Sequence, residues 1–367
     1  MAPRSKDIYR GKHRWRFPVT LVVSILLVLI VLAVVLFYSL QKYAVYGKDG
    51  VTLEIPGLTV PASQTARPDS PGNSPVPSTI VNAELVVVEP DYSGIDLQPG
   101  DDLDALHAAY LTAADITAGL DAALLRAEEL ETDALVLEMK AVDGTLTWTS
   151  DSEMANAYGV NGQTNLAALV NQLKEAGYYT VAELRCCVDT LMATRNPPVA
   201  LKNAGGGPYE DASGGWLDPY SLSVRQYLLS LMEELAEAGF DEILLSELSF
   251  PSNQAVVSYS QELVGASTPR AAVSGLAVYL AQNAPEDVRV SALLQTDALR
   301  GTGSEETESV QDAALFTRLF DRLYLRTDAA NLAADANALY AAAGTDMDNR
   351  FVPILPTAPD TASWTVG

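Results

Sequence analysis

Short runs of aliphatic and β-branched residues alternate with longer amphipathic stretches through most of this chain. The runs predict seven strands, at residues 106–112, 134–140, 180–187, 242–248, 288–295, 322–327 and 350–355. Helices are predicted between them, at residues 117–131, 165–176, 221–238, 269–283, 309–320 and 329–343. Strands that alternate with helices form βα units around a parallel sheet.

The number of these units favours one architecture. Seven units approach the eight of a (β/α)8 TIM-type barrel, which is the fold class we predict for residues 83–367. The eighth strand, at residues 363–366, is very short, so closure of the barrel depends on it. An open, doubly wound sheet is the alternative. An apolar stretch at residues 83–88 is a candidate leading strand.

Residues 19–40 form a second constraint, because they contain no charged residue, no Pro and no Gly. At about 1.5 Å of rise per residue, a helix of this length crosses a hydrocarbon core of about 30 Å. Secretory signals have shorter apolar regions, of about 7 to 15 residues, and a small-residue cleavage site. The segment therefore predicts an uncleaved transmembrane helix, and a buried core helix is the weaker alternative.

The flanking charges orient this helix. Six basic residues precede it, against Asp7 alone, and only Lys42 and Lys48 follow it closely. The positive-inside rule therefore predicts a cytoplasmic stub at residues 1–18 and a main domain outside the cell membrane. The six basic residues are Arg4, Lys6, Arg10, Lys12, Arg14 and Arg16.

Residues 41–82 connect the predicted helix to the predicted barrel. Within them, residues 56–77 are rich in Pro, Ser, Gly and Thr and lack apolar periodicity. Such a composition is typical of a disordered, semi-extended spacer.

The exported part is strongly acidic, with 15 basic and 46 acidic residues beyond Lys48. This charge repels nucleic acid and anionic polymers, so we expect no nucleic-acid partner. Neutral or cationic glycans, peptides and divalent cations remain as partners. The alternative is that the charge serves only solubility.

The small number and the positions of the Cys and His residues argue against several kinds of site. Cys186 and Cys187 are adjacent, so they cannot form a disulfide scaffold between distant segments. Only His107 lies beyond the predicted membrane helix, which disfavours His-rich zinc sites and Ser-His-Asp triads. We therefore expect no metal and no cofactor, and carboxylates remain for acid–base chemistry.

Carboxylates stand where three predicted strands end and where the following loop begins. In a parallel barrel, ligand-binding residues lie at the carboxyl ends of the strands. One interpretation makes these residues catalytic, whereas the other makes them a structural lattice paired with Lys140 and Arg185. The carboxylates are Glu138, Glu183, Glu247 and Asp189.

The long loop at residues 196–220 is rich in aromatic and acidic side chains. Tyr209, Trp216 and Tyr220 suit stacking on sugar rings, and Glu210, Asp211 and Asp218 suit hydrogen bonds from hydroxyls. Long loops in compact domains are often functional. The alternative is an ordinary surface loop rich in Gly and Pro.

Several segments together resemble a known family. They are the ALVLEMKAVDG of residues 134–144, the WLDPYS of residues 216–221, the GFDEI of residues 239–243 and Phe250-Pro251. In this order they are similar to a bacterial putative glycoside hydrolase family of TIM-barrel domains, over residues 106–251. The resemblance implies a barrel with a carbohydrate-binding mouth.

The chain departs from the family's patterns at four positions. Ser246 and Ser249 stand where the family has Asp and Arg, Glu183 stands where it has Arg, and Glu138 replaces its first Asp. Lys140 and Asp189 keep the family's residue types.

These observations predict a membrane-anchored, extracytoplasmic glycoside hydrolase-like protein that acts on a cell-envelope or environmental polysaccharide. Two carboxylates would divide the acid and base work, Glu138 with Glu183 or Glu247, with Asp189 as a further candidate. The alternative is a non-catalytic glycan-binding or envelope-organising protein on a degenerate barrel, as Ser246 suggests. The candidate substrate-binding residues are Lys140, Arg185, Tyr209, Trp216, Asp218 and Tyr220.

Overall fold

The computed structural model divides the chain into two compact units, Met1–Asn82 and Ala83–Gly367. The predicted membrane helix, the spacer and the candidate strand at residues 83–88 lie outside the described residues. In the described part of the chain, every helix is too short or too polar to span a lipid bilayer. The structure describes residues 44–47, 50–53, 92, 94–95, 103–251, 257–258, 268–300, 310–345 and 347–367.

In the first unit, strands Ala44–Gly47 and Gly50–Leu53 pair in antiparallel fashion.

In the second unit, eight parallel strands close into a barrel. The last strand pairs with the first, with Trp364 opposite His107 and Val366 opposite Ala109. The TIM-type barrel is therefore confirmed, and the open doubly wound sheet is wrong. The strands are β1 His107–Leu111, β2 Ala134–Glu138, β3 Tyr179–Arg185, β4 Glu242–Ser246, β5 Arg289–Leu294, β6 Leu323–Arg326, β7 Phe351–Leu355 and β8 Trp364–Val366.

Each strand is buried on both faces, which explains its nearly continuous apolar sequence. All five residues of β2 are buried, and its four apolar residues alternate between two clusters. Ala134 and Val136 join the cluster that fills the barrel, with Val181, Leu244 and Tyr324. Leu135 and Leu137 pack in the larger cluster, which also contains the buried residues of the surrounding helices.

Ten α-helices are described in the second unit. The predicted helix at residues 117–131 is two helices, because Gly119, with a φ of 102°, ends the first. Three short helices, α3, α5 and α8, were not predicted. The helices are α1 Ala113–Ala118, α2 Asp121–Glu129, α3 Glu153–Tyr158, α4 Leu166–Glu175, α5 Thr190–Arg195, α6 Leu222–Glu237, α7 Pro269–Asn283, α8 Thr296–Arg300, α9 Ala313–Leu319 and α10 Leu332–Ala343.

A buried polar cluster closes the amino-terminal end of the barrel. Glu242, the first residue of β4, pairs with Arg322 and accepts hydrogen bonds from Tyr324 Oη at 2.9 Å and Tyr179 Oη at 3.1 Å. These partners neutralise the charge of Glu242 at this end of the barrel, and ligand sites of parallel barrels lie at the opposite, carboxyl end.

Candidate functional site

Six side chains meet at the carboxyl end of the barrel, and we call them the mouth cluster. Strand register explains part of the convergence, because Glu138 of β2 lies opposite Glu183 of β3. Arg185 shares the strand face of Glu183, since residues two apart on a strand point the same way. The cluster consists of Tyr110, Glu138, Glu183, Arg185, Glu247 and Arg326.

One guanidinium connects two of the carboxylates. Arg185 Nη2 donates to Glu138 Oε1 at 3.1 Å, and Arg185 Nη1 donates to Glu247 Oε1 at 3.5 Å. Burial alone would lower the pKa of Arg185, but the Glu183 and Glu138 carboxylates outweigh it and raise this pKa. Arg185 is therefore a fixed cation that holds the two glutamates on separate nitrogens.

Glu138 has the partners of an ionised carboxylate. Besides Arg185, it accepts a hydrogen bond at its Oε2 from the backbone nitrogen of Ala113 at 3.0 Å. Ala113 is the first residue of α1, where backbone N–H groups lack partners within the helix. The side chain of Glu138 is 9% exposed, which leaves an edge accessible from the mouth.

Glu247 follows β4 in an unusual backbone conformation, with a φ of 49°. Non-glycine residues rarely adopt positive φ, and they cluster at functional sites when they do. The carbonyls of Ser246 and Glu247 still accept hydrogen bonds from the backbone of Cys186 and Cys187, at 2.8 and 3.0 Å. The turned residue therefore continues the pairing with β3 while its carboxylate reaches Arg185.

The surroundings of Glu247 favour its protonated form. Burial raises the pKa of Glu247, and the negative charge of Glu183 adds to the increase, whereas Arg185 opposes it. At 28% exposure, its side chain is also the most accessible of the three glutamates in the mouth cluster. A carboxyl that is accessible and retains its proton is suited to general acid chemistry.

Glu183 lies deeper than the other two glutamates, with a side chain 1% exposed. Tyr110 Oη donates a short hydrogen bond to its Oε2, and Arg326 Nη2 lies 3.9 Å from its Oε1. Burial, together with the charge of Glu183, raises the pKa of Tyr110, so the phenol stays protonated and donates. Arg326 also lies over the Tyr110 ring, 5.7 Å from its centroid.

Lys140 and Asp189 form a buried pair next to the mouth cluster. Lys140 Nζ lies 2.7 Å from Asp189 Oδ2, and both side chains are fully buried. Asp189 Oδ1 also accepts the backbone N–H of Met192 at 2.8 Å, which caps α5. Gly144 has a φ of 97°, and a Cβ there would lie 1.9 Å from Asp189 Oδ1. The spacing of Lys140, Gly144 and Asp189 is therefore explained by packing, and we leave the pair out of the proposed catalytic and sugar-contacting groups.

The aromatic residues of the long loop are buried. Trp216 is 4% exposed, and Tyr209 and Tyr220 are buried as well. Leu217 N donates to Cys187 O at 2.8 Å, which ties the loop to the segment after β3, and Asp218 Oδ1 accepts the Tyr220 N–H at 2.9 Å within the loop. A sugar platform requires an open aromatic face, so we do not include these residues, or the buried Asp218, in the proposed site.

The other candidate reactive groups are the two cysteines, which are buried, and His107, which lies outside the mouth cluster. Cys186 and Cys187 are free thiols, and burial raises both pKa values. His107 begins β1, and its ring stacks on Trp364 with centroids 5.1 Å apart. Within the described residues, no group of three or more His, Cys, Asp or Glu side chains is arranged to hold a metal ion.

Sequence reasoning missed Tyr110 and Arg326. Arg326 ends the apolar run Leu-Tyr-Leu-Arg of β6, and Tyr110 is the penultimate residue of β1. A polar group at the carboxyl end of an apolar strand is the signal that identified the glutamates, and it would have identified Arg326 too.

Solved structures similar to this chain include a hypothetical protein from Ruminiclostridium thermocellum, with 24% identity over 50% of this chain and 96% of that one, at a TM-score of 0.45. Aspergillus fumigatus Ega3 in complex with galactosamine has 8% identity over 70% and 79%, at 0.41. The Listeria monocytogenes cycloalternan-forming enzyme in complex with a pentasaccharide has 13% identity over 72% and 29%, at 0.43.

No curated protein matches the chain. A family model described as a putative glycosyl hydrolase domain matches residues 107–305, which is more than half of the chain and begins at β1. The chain therefore belongs to the putative glycosyl hydrolase domain family.

Proposed function

We propose that this protein hydrolyses glycosidic bonds with Glu247 as the general acid and Glu138 as its ionised partner. The observation that carries the proposal is that one guanidinium, that of Arg185, contacts both carboxylates while their surroundings differ. Glycosidases usually use two carboxyl groups whose surroundings differ, so that one is protonated and the other is ionised.

The two glutamates would divide the reaction. Glu247 gives its proton to the glycosidic oxygen as the bond to the anomeric carbon breaks. Glu138 attacks that carbon, or removes a proton from the water that attacks it. When Glu138 forms a covalent intermediate, the Glu247 carboxylate activates the water that releases it. Either course consumes one water. The covalent course returns a proton from that water to Glu247, whereas the direct course leaves a proton on Glu138, and exchange with solvent then restores both glutamates.

The substrate class follows from the family and from the charge. Membership in a glycosyl hydrolase domain family supports a polysaccharide or oligosaccharide substrate. The excess of acidic residues beyond Lys48 favours neutral or cationic glycans over anionic ones. A polysaccharide of the cell envelope or of the environment fits both conditions.

A cell-surface location completes the proposal. The uncharged residues 19–40 and the basic residues before them support a single membrane anchor with its N-terminus in the cytoplasm. The spacer at residues 56–77 would then hold the barrel away from the bilayer.

Ser246 supports a second candidate function, non-catalytic glycan binding or envelope organisation. Its side chain is fully buried, and its hydroxyl has no hydrogen-bond partner among the described residues. It stands where the similar family has Asp, so a carboxylate used by relatives is absent here. A barrel that binds glycan without cleaving it would account for this loss.

Both candidates can be tested with the full-length protein in detergent micelles. A glycan panel is assayed for binding and for release of reducing ends, using wild type, Glu138→Gln, Glu247→Gln and the control Glu129→Gln. Glu129 is exposed on α2, outside the mouth cluster. The hydrolase proposal expects release by wild type and the control only. Binding without release by wild type favours the second candidate, and release by Glu138→Gln at the wild-type rate contradicts the first.

A further inference from the structure

A second cavity lies outside the barrel strands, between α3 and the first half of α6. Its volume is about 410 Å³, within the range of about 300–1,000 Å³ that is usual for ligand pockets. The described residues that line it include Asn196, which follows α5, and none of the mouth cluster. The cavity is therefore a candidate binding site that the proposed catalytic chemistry does not use.

Hydrogen bonds hold the walls of this cavity in place. Ser230 Oγ of α6 donates to the Oγ of Ser152, the residue before α3, at 3.1 Å. Glu234 Oε1, one turn further along α6, accepts the Ser152 N–H at 3.0 Å. At the other end of α3, Arg195 Nη1 donates to the carbonyl of Tyr158 at 2.9 Å. Because both ends of α3 are fixed, little ordering is needed when a ligand binds.

The cavity contains a buried amide without a partner. Asn196 is 7% exposed, and its side chain forms no hydrogen bond with any described residue, although it precedes a 3₁₀ turn that it could cap. An Asn side chain offers two donors and an acceptor. Since buried polar groups nearly always have a partner, an unpaired amide in the wall of a cavity indicates a ligand contact. Ser223 and Gln226, both exposed on α6, add further polar groups to the lining.

The chemistry of the lining selects the class of ligand. Met154, Ala157 and Tyr158 provide apolar surface beside the uncharged polar groups. Among the described residues of the lining, only Glu153 is charged, and an anionic ligand would find no cation there. A wholly apolar ligand would leave the Asn196 amide unpaired, which is costly. A neutral sugar satisfies both conditions, because it presents C–H groups as well as hydroxyls that donate and accept.

We propose that this cavity binds a neutral saccharide unit at a site separate from the mouth cluster. The inference goes beyond the proposed function, because it requires binding and no cleavage. Ser152 and Asn196 belong to the connections that follow β2 and β3, so the cavity lies on the carboxyl side of the barrel, as the mouth cluster does. A glycan long enough to reach both sites would gain affinity, because its second contact is intramolecular.

Met154 provides a local reporter of binding, because its half-buried side chain lines the cavity. The full-length protein is labelled with ¹³C at methionine methyl groups and studied by NMR in a detergent without a sugar headgroup. The probes are glucose, galactose, mannose and N-acetylglucosamine, each also as its β-1,4-linked disaccharide. The Met154 resonance is identified by its absence in Met154→Leu. At least one neutral sugar should shift it saturably, whereas the resonance of the fully buried Met347 stays in place. If no sugar shifts Met154, the proposal is overturned.

Two substitutions connect the response to the cavity. Ala157 is exposed on α3 and lines the cavity, so Ala157→Phe fills it and should abolish the shift. The control Ala122→Phe places the same ring on an exposed position of α2 and should leave Kd unchanged. Asn196→Ala removes the unpaired amide and should weaken binding about tenfold. An unchanged Kd in either cavity variant, shown to be folded by circular dichroism, overturns the proposal.

Two further probes test the class of ligand. Glucuronate, the anionic counterpart of glucose, should bind more weakly than the best neutral sugar, because the described lining contains no cation. Hexan-1-ol represents an apolar ligand with a single hydroxyl. A response of Met154 to hexan-1-ol but to no sugar, or tighter binding of glucuronate than of every neutral sugar, contradicts the assignment.

The second site and the hydrolase proposal fail separately. If Met154 responds to a sugar but wild type releases no reducing ends from any glycan, the second site stands and the hydrolase proposal falls. If wild type cleaves glycan and Met154 responds to no sugar, the second site falls alone.

Discussion

Replacing Asp189 with Asn tests whether the Lys140–Asp189 pair holds the fold. The substitution keeps an oxygen that can accept the Met192 N–H, so the cap on α5 is preserved. It removes the negative charge 2.7 Å from Lys140 Nζ, in a site where both side chains are fully buried. Breaking one partner of a buried pair costs about 3–5 kcal/mol, because the other charge is left uncompensated.

The expected loss of stability in Asp189→Asn is large enough to measure by thermal or urea unfolding. A loss of about 3–5 kcal/mol corresponds to a fall in Tm on the order of 10 °C for a domain of this size. Urea unfolding of the full-length protein, followed by circular dichroism, measures it directly. The double variant Lys140→Met/Asp189→Leu removes both charges, and should cost less than Asp189→Asn alone.

A small effect would refute this reasoning. If Asp189→Asn lies within about 1 kcal/mol of wild type, the pair is not desolvated as its geometry requires. If it keeps full stability and loses only glycan binding, Asp189 belongs to the ligand site that sequence reasoning suggested.

Three further predictions concern other parts of the molecule. Trp216→Ala should destabilise the barrel by about 3–5 kcal/mol, as expected for a buried Trp, without changing glycan affinity per folded molecule; weaker binding at unchanged Tm would restore the sugar platform. Glu247→Gln should be more stable than wild type at pH 7, because folding raises the pKa of Glu247 and the wild type therefore loses stability as the pH rises and this carboxyl ionises. In urea titrations, the difference in the free energy of unfolding between the two proteins should vanish below about pH 4. A difference that does not change with pH would contradict this prediction. Protease added to intact cells should cut within residues 56–77; a protected barrel would refute the orientation.

The strands were predictable because each is buried on both faces. A run such as the Ala-Leu-Val-Leu-Glu of β2 keeps its apolar signature whatever surrounds it. Closure was the weakest part of the prediction, since β8 has only three residues and its pairing with β1 joins the two ends of the barrel. The short helices α3 and α5, of six residues each, were missed because one or two turns show no clear period.

The site was predictable where chemistry is local and unpredictable where it depends on the fold. Glu138 and Arg185 stand out as charges at the ends of apolar strands. The turned backbone of Glu247, with a φ of 49°, leaves no mark in a single sequence. The role of the aromatic loop could not be assigned from the sequence, because Trp and Tyr suit both sugar binding and a core, and the burial of Trp216 favours the core.

The division of work between Glu247 and Glu138 is tested most directly by comparing two substrates that differ only in the leaving group. A leaving group such as 2,4-dinitrophenol departs without a proton, so it needs no general acid. Once the cleaved glycan is known, kcat/KM is measured on that glycan and on the dinitrophenyl glycoside of the same sugar, because kcat/KM reports bond cleavage and not the later release by water. The account predicts that Glu247→Gln loses kcat/KM for the glycan but keeps kcat/KM for the glycoside, whereas Glu138→Gln loses both. Equal loss of both substrates in Glu247→Gln, or full turnover in Glu138→Gln, would contradict it.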